Sequence, residues 1–90
     1  MMEMHCIVSG KVQNVAYRYY VQDAADELGV VGWVRNLSDG TVEILAQGEP
    51  DILKELVEYL NEGSLQAKVE GVDIEWREAK KVHDDFSILH

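Results

Sequence analysis

Two runs of helical spacing, each set between stretches that alternate, constrain this chain more than any other feature. Tyr17, Tyr20, Val21, Ala24, Ala25 and Leu28 fall on one helical face, and Gly29 follows where a helix-ending glycine belongs. The spacing predicts a helix from about Arg18 to Leu28. Ile52, Leu53, Leu56, Val57, Tyr59 and Leu60 form a second stripe, opened by Gly48-Glu49-Pro50-Asp51 and followed by Gly63. Pro50 suits the first helical position, while Glu49 and Asp51 suit the positive end of the helix dipole. A helix with a single apolar stripe must bury it against another layer, so the remaining segments have to supply that surface.

Those segments read as strands. Met4 to Val8 is the first, ending at Ser9-Gly10. Val30 to Asn36 and Thr41 to Gln47 are the second and third, joined across Ser38-Asp39-Gly40 as an antiparallel hairpin. Val72, Ile74 and Trp76 alternate with Asp73 and Glu75 as a half-buried strand does, Lys80 to Asp84 is a polar loop, and Phe86 to Leu89 suits a short edge strand. The order is β-α-β-β-α-β plus a terminal strand. With both helices on one face of an antiparallel sheet, this is the ferredoxin-like split βαβ sandwich of the α+β class. The strand after the first helix is expected to pair centrally beside the first strand. Residues 1–90 form one domain.

Composition narrows the function. With 47% hydrophobic residues, a chain of 90 residues can build an efficient core. A net charge of -9 repels phosphate backbones, which argues against nucleic acid as a partner. Cys6 is the only cysteine, so no intrachain disulfide forms, as suits a reducing compartment. Met1-Met2-Glu3-Met4-His5 lacks the pattern of a signal peptide, and no apolar stretch approaches the roughly 20 residues that span a membrane. A cytoplasmic monomer with no membrane partner is the expectation.

The segment Gly10-Lys11-Val12-Gln13-Asn14-Val15-Ala16-Tyr17-Arg18 runs from a strand into a helix N-terminus. Backbone N–H groups there have no partner within the helix, and the dipole adds partial positive charge, so together they can hold an anion. Arg18 adds a planar fork of donors matched to phosphate oxygens. The same loop could be only a connection, with Asn14 as turn chemistry and Lys11 as a solvated charge. Gly32-Trp33-Val34-Arg35-Asn36-Leu37-Ser38-Asp39-Gly40-Thr41-Val42 reads alone as a hairpin, with Trp33 in the core. Placed near the loop, however, the Asn36 amide offers both a donor and an acceptor to a water.

The first of these segments resembles the acylphosphatase signature, glycine-x-valine-glutamine-glycine-valine-x-aromatic-arginine. Gly32-Trp33-Val34-Arg35-Asn36, Gly40-x-Val42 and Gly48 look like the second signature of the same family. The similarity covers nearly the whole chain, including Phe86-Ser87-Ile88. It implies a hydrolase that converts small acyl phosphates to a carboxylate and inorganic phosphate. Backbone amides of Gln13, Asn14, Val15, Ala16, Tyr17 and Arg18 would cradle the phosphate, Arg18 would clamp it, and Asn36 would orient the attacking water. No cofactor is implied. His5, His83, His90 and Cys6 have no metal-ligand spacing, so metal-independent chemistry is expected. A non-catalytic anion-binding module of the same fold is the alternative. Asn14 stands where the family has a glycine, and it is the least costly replacement if the position needs positive φ.

Overall fold

The computed structural model describes every residue from Met1 to His90. Strand β1 (Met2–Lys11) leads to helix α1 (Tyr17–Leu28), followed by β2 (Val31–Asn36), β3 (Val42–Gly48), helix α2 (Pro50–Glu62), β4 (Lys68–Glu78) and β5 (Phe86–Leu89). The strands make one sheet in the order β4-β1-β3-β2-β5. The helices cover one face, and the ferredoxin-like α+β arrangement expected from the sequence is present.

Alternation decides which face the helices cover. Met4, Cys6 and Val8 of β1, Val34 of β2, and Val42, Ile44 and Ala46 of β3 are all fully buried. They meet Tyr17, Val21, Ala24 and Ala25 of α1 and Leu53, Leu56 and Leu60 of α2 in one core. Burial pushes the Cys6 thiol up to about 12, which leaves it an inert core residue. The opposite face is polar and ion-paired. There Glu43 accepts from His5 Nε2 at 2.7 Å and from Arg35 Nε at 2.6 Å. Trp33 lies on this open face, with the Arg35 guanidinium carbon 5.2 Å from the centre of its ring, and not in the core.

Two expectations about the sheet need correction. First, β2 does not pair beside β1. Strand β3 lies between them, antiparallel to both. The hairpin places β3 against β2, and the other edge of β3 takes β1, so β1 and β2 run parallel with one strand between them. Second, β5 pairs in parallel with β2, from Gly32↔Phe86 to Arg35↔Leu89. The chain leaves β4 at one edge of the sheet and must reach the other. The connecting segment is held midway by Gln47, whose Nε2 donates to the Lys81 carbonyl and whose Oε1 accepts from the His83 N–H. From there β5 can only run in the direction of β2.

Strand β4 begins earlier than the alternation suggested, at Lys68. A register shift between Ser9 and Gly10 carries its pairing with β1 through to Lys11↔Lys68. Gly10 has a φ of 117°, and a Cβ there would run into the Lys68 carbonyl, so glycine alone fits. The bulge turns the chain off the sheet toward α1.

Candidate active site

Because β1 and β2 flank β3 in the same direction, their C-terminal ends point to the same end of the sheet. Val8 and Asn36 both pair with Val42, one from each side. The side chain of Asn36 falls on the helix-covered face with that of Val34, two residues before it. The N-terminal end of α1 meets it there. Asn14, Ala16, Arg18, Tyr19 and Asn36, backed by Val12 and Tyr17, line a cavity of about 160 Å³. A larger cleft of about 660 Å³ opens on the other face, beside Trp33, Leu45 and Arg77, and includes neither Arg18 nor Asn36.

The loop before α1 is anchored at alternate points. Val12 and Val15 are buried in the core, and Tyr17 is 1% exposed. The Tyr17 hydroxyl donates to the Leu60 carbonyl at 2.7 Å, so it ties α1 to α2 and does not face the cavity. Burial raises its pKa above the ordinary tyrosine value. Between these anchors, Asn14 and Ala16 take positive φ, 61° and 58°, while Val15 does not. Left-handed residues alternating with others can turn successive N–H groups toward one side, a geometry suited to an anion.

Ala16 is the N-cap of α1 and offers no side-chain hydrogen bond, and no acidic residue occupies the first turn. The first N–H groups of the helix are therefore not neutralised by the protein's own carboxylates. Ser64 Oγ donates to the Val15 carbonyl at 2.9 Å. A trans peptide points its N–H opposite to its C=O, so this bond turns the Ala16 N–H away from Ser64.

Arg18 has no acidic partner. Its Nη1 donates to the Leu89 carbonyl at 3.3 Å and lies 3.5 Å from His90 Nδ1, both long contacts at the end of β5. The other guanidinium nitrogens are uncommitted and partly exposed beside the cavity. Asn36 carries the most telling feature. Its Oδ1 is the one buried side-chain polar atom in the protein without a hydrogen-bond partner. Such an atom costs about 1–3 kcal/mol, so it calls for a partner that arrives with the ligand or the solvent.

Of the residues expected at a phosphate site, Asn14, Ala16, Tyr17, Arg18 and Asn36 line the one cavity. Gln13 and Val15 do not. Val15 points into the core, and Gln13 Nε2 donates away from the site, to the carbonyls of Leu37 and Thr41 at 2.8 and 2.9 Å. No group of three His, Cys, Asp or Glu side chains is placed to hold a metal ion. Sequence reasoning missed Tyr19, which is 58% exposed at the mouth of the cavity. Its signal was a large ring off the apolar stripe, directly after Arg18. It also missed Ser64, which carried no signal, since a lone serine after a helix is ordinary.

The family model for acylphosphatase matches residues 4–88. An acylphosphatase from Marinobacter nauticus is 49% identical over 96% of this chain and 94% of that protein. Among solved structures, an acylphosphatase from Bacillus subtilis superposes with a TM-score of 0.97 at 40% identity, covering 100% of both chains. An acylphosphatase from Coxiella burnetii gives 0.91 at 44% identity, covering 97% of this chain and 90% of that one.

Proposed function

Since this chain belongs to the acylphosphatase family and is an enzyme of that class, we propose that it hydrolyses small acyl phosphates with Arg18 and the loop amides as the phosphate site and Asn36 as the water-placing group. The observation that carries the reading is the buried, unpartnered Asn36 Oδ1 in the same small cavity as Arg18 and the left-handed loop.

An acyl phosphate is a mixed anhydride whose carboxylate leaves readily, so the leaving oxygen needs little help. The catalytic demand is to hold the phosphoryl group, offset its charge and aim a nucleophile in line. The Arg18 fork takes two phosphate oxygens, and the N–H groups around Ala16 take others. Asn36 Oδ1 accepts a hydrogen bond from a water, fixing its lone pair toward phosphorus. The water oxygen bonds to phosphorus as the bond from phosphorus to the acyl oxygen breaks. The electron pair leaves on the carboxylate, and the water proton passes to a phosphate oxygen. No carboxylate or imidazole lines the cavity to take it. The residues named carry this scheme without a metal, so hydrolysis should persist in chelator. A cytoplasmic location is part of the proposal, in keeping with the single unpaired Cys6 thiol, and so is a monomeric state.

Benzoyl phosphate hydrolysis tests the assignment. In Asn36→Ala, turnover should fall by about 10²–10³-fold, the range for loss of one preorganised polar group, while inorganic phosphate inhibits as before. Wild-type turnover in that variant, or an equal loss of phosphate affinity, would overturn the role given to Asn36.

A further inference from the structure

We infer that Gln13 is a positioning residue for Asn36, acting through the turn between β2 and β3; the inference rests on the water-placing reading of Asn36. The proposed reaction needs two pieces that belong to separate elements. One is the phosphate loop at the start of α1. The other is Asn36, the last residue of β2. Strand β3 separates β1 from β2, so no backbone ladder joins the two pieces directly.

Beyond Asn36 the sheet ends and the chain turns. Leu37 N–H donates to the Thr41 carbonyl at 2.9 Å, Gly40 N–H to the Leu37 carbonyl at 3.2 Å, and Asp39 Oδ1 accepts from Thr41 N–H and Oγ1. All of these bonds are internal to the turn. They fix its shape but not its place relative to the loop. The ladders through β3 set where the turn leaves the sheet, and the Gln13 amide ties it to the loop. Both hydrogens of one NH₂ group are committed, one to the Leu37 carbonyl and one to the Thr41 carbonyl, at the two ends of the turn.

The clamp is one residue removed from the site on each side. Gln13 is bonded to Asn14, which lines the cavity, and Leu37 is bonded to Asn36. Val12, buried beside it, keeps Gln13 from drifting. With its donors spent, the Gln13 side chain cannot also serve the phosphate. Its work is to hold the distance between the bound phosphoryl group and the water. A displacement of about 1 Å between reacting groups costs on the order of 10²-fold in rate, so two hydrogen bonds that set this distance have leverage on turnover.

The test is a double-mutant cycle with benzoyl phosphate as substrate and inorganic phosphate as competitive inhibitor. Gln13→Met keeps the length and bulk of the side chain and removes both donors. It should lower turnover by about 10–10²-fold and change phosphate inhibition by less than about threefold, with the thermal midpoint recording that the fold is intact. In an Asn36→Ala background the same change should cost less than about threefold, because the group it positions is gone. Gln13→Lys, which restores donors at similar reach, should recover part of the lost turnover. Asn36→Ala with its expected loss and Gln13→Met fully additive to it would overturn the clamp alone. Asn36→Ala with wild-type turnover would overturn the water-placing reading and the clamp with it. Equal losses of turnover and phosphate affinity in Gln13→Met would place Gln13 on the phosphate instead.

Discussion

Ser64, just past the end of α2, holds the carbonyl of Val15 at 2.9 Å and so fixes the peptide that carries the Ala16 N–H of the proposed phosphate loop. Removing this bond should be felt at the phosphate site some distance from the serine. Ser64→Ala is expected to cost about 1 kcal/mol of stability, the usual net worth of one such hydrogen bond. Because the peptide is then free to rotate, inorganic phosphate should inhibit more weakly by up to about tenfold. Urea denaturation and a phosphate inhibition constant on both proteins check this. A stability loss without any change in phosphate inhibition would make Ser64 merely structural.

Asn14 and Ala16 sit in left-handed backbone with φ near 60°. The conformation is cheap for asparagine and costs alanine about 1 kcal/mol or more. Asn14→Gly should keep stability within about 1 kcal/mol, since relief of strain and added unfolded-state entropy oppose each other. It should raise turnover or tighten phosphate, because Asn14 is exposed at the cavity and its amide leaves with the change. Ala16→Gly should be neutral to stabilising by up to about 1 kcal/mol. Denaturation midpoints and kinetics on the two variants separate these cases. Lower turnover and weaker phosphate binding in Asn14→Gly, at unchanged stability, would mean the Asn14 amide itself serves the phosphate.

Arg18→Lys should behave as a severe change. Lysine keeps the charge, but it loses the planar fork that spans two oxygens. A loss of about 2–4 kcal/mol in transition-state stabilisation is expected, with weaker inhibition by phosphate. Steady-state kinetics settle the point, and near wild-type constants would reduce Arg18 to a support for the end of β5.

Acid should unfold the protein partly through its open sheet face. Burial alone would raise the pKa of Glu3, but hydrogen bonds from Gln47 and Arg77 outweigh it and hold the carboxyl below its ordinary range. Glu43 is held low in the same way by His5 and Arg35, against the effect of burial. A carboxyl whose folded pKa is depressed contributes stability above its unfolded pKa and loses that contribution as the pH falls through the folded value. Stability should therefore decline as the pH drops below about 4.5. Glu43→Gln should flatten that decline while lowering stability at neutral pH. Chemical denaturation at a series of pH values reads both effects.

Much of this architecture is written in spacing. The two apolar stripes, Pro50 at the start of α2 and Gly29 after α1 mark helices that the structure places within a residue or two. The hairpin was equally legible from Ser38-Asp39-Gly40. The strand order was not, because periodicity says which face a strand buries and nothing about its neighbours. The parallel pairing of β5 was hidden for the same reason, since four residues carry no direction. At the site, Arg18 and Asn36 stood out through their motifs. The left-handed φ of Ala16 did not, because alanine rarely adopts that conformation and nothing in its identity marks it. The roles of Gln13 and Ser64 depend on which distant carbonyl each side chain reaches, and only the folded chain brings those groups together.

The presence of β3 between the two site-bearing strands sets the tolerance of the protein to sequence drift. The gap between Val8 and Asn36 is two interstrand steps, about 10 Å, and it is measured out by backbone hydrogen bonds that any residues can make. Core side chains can trade bulk while this interval stays the same. The sheet thus acts as a ruler. A lineage carrying it is free to rewrite most of its interior provided it keeps the few residues mounted at the two marks.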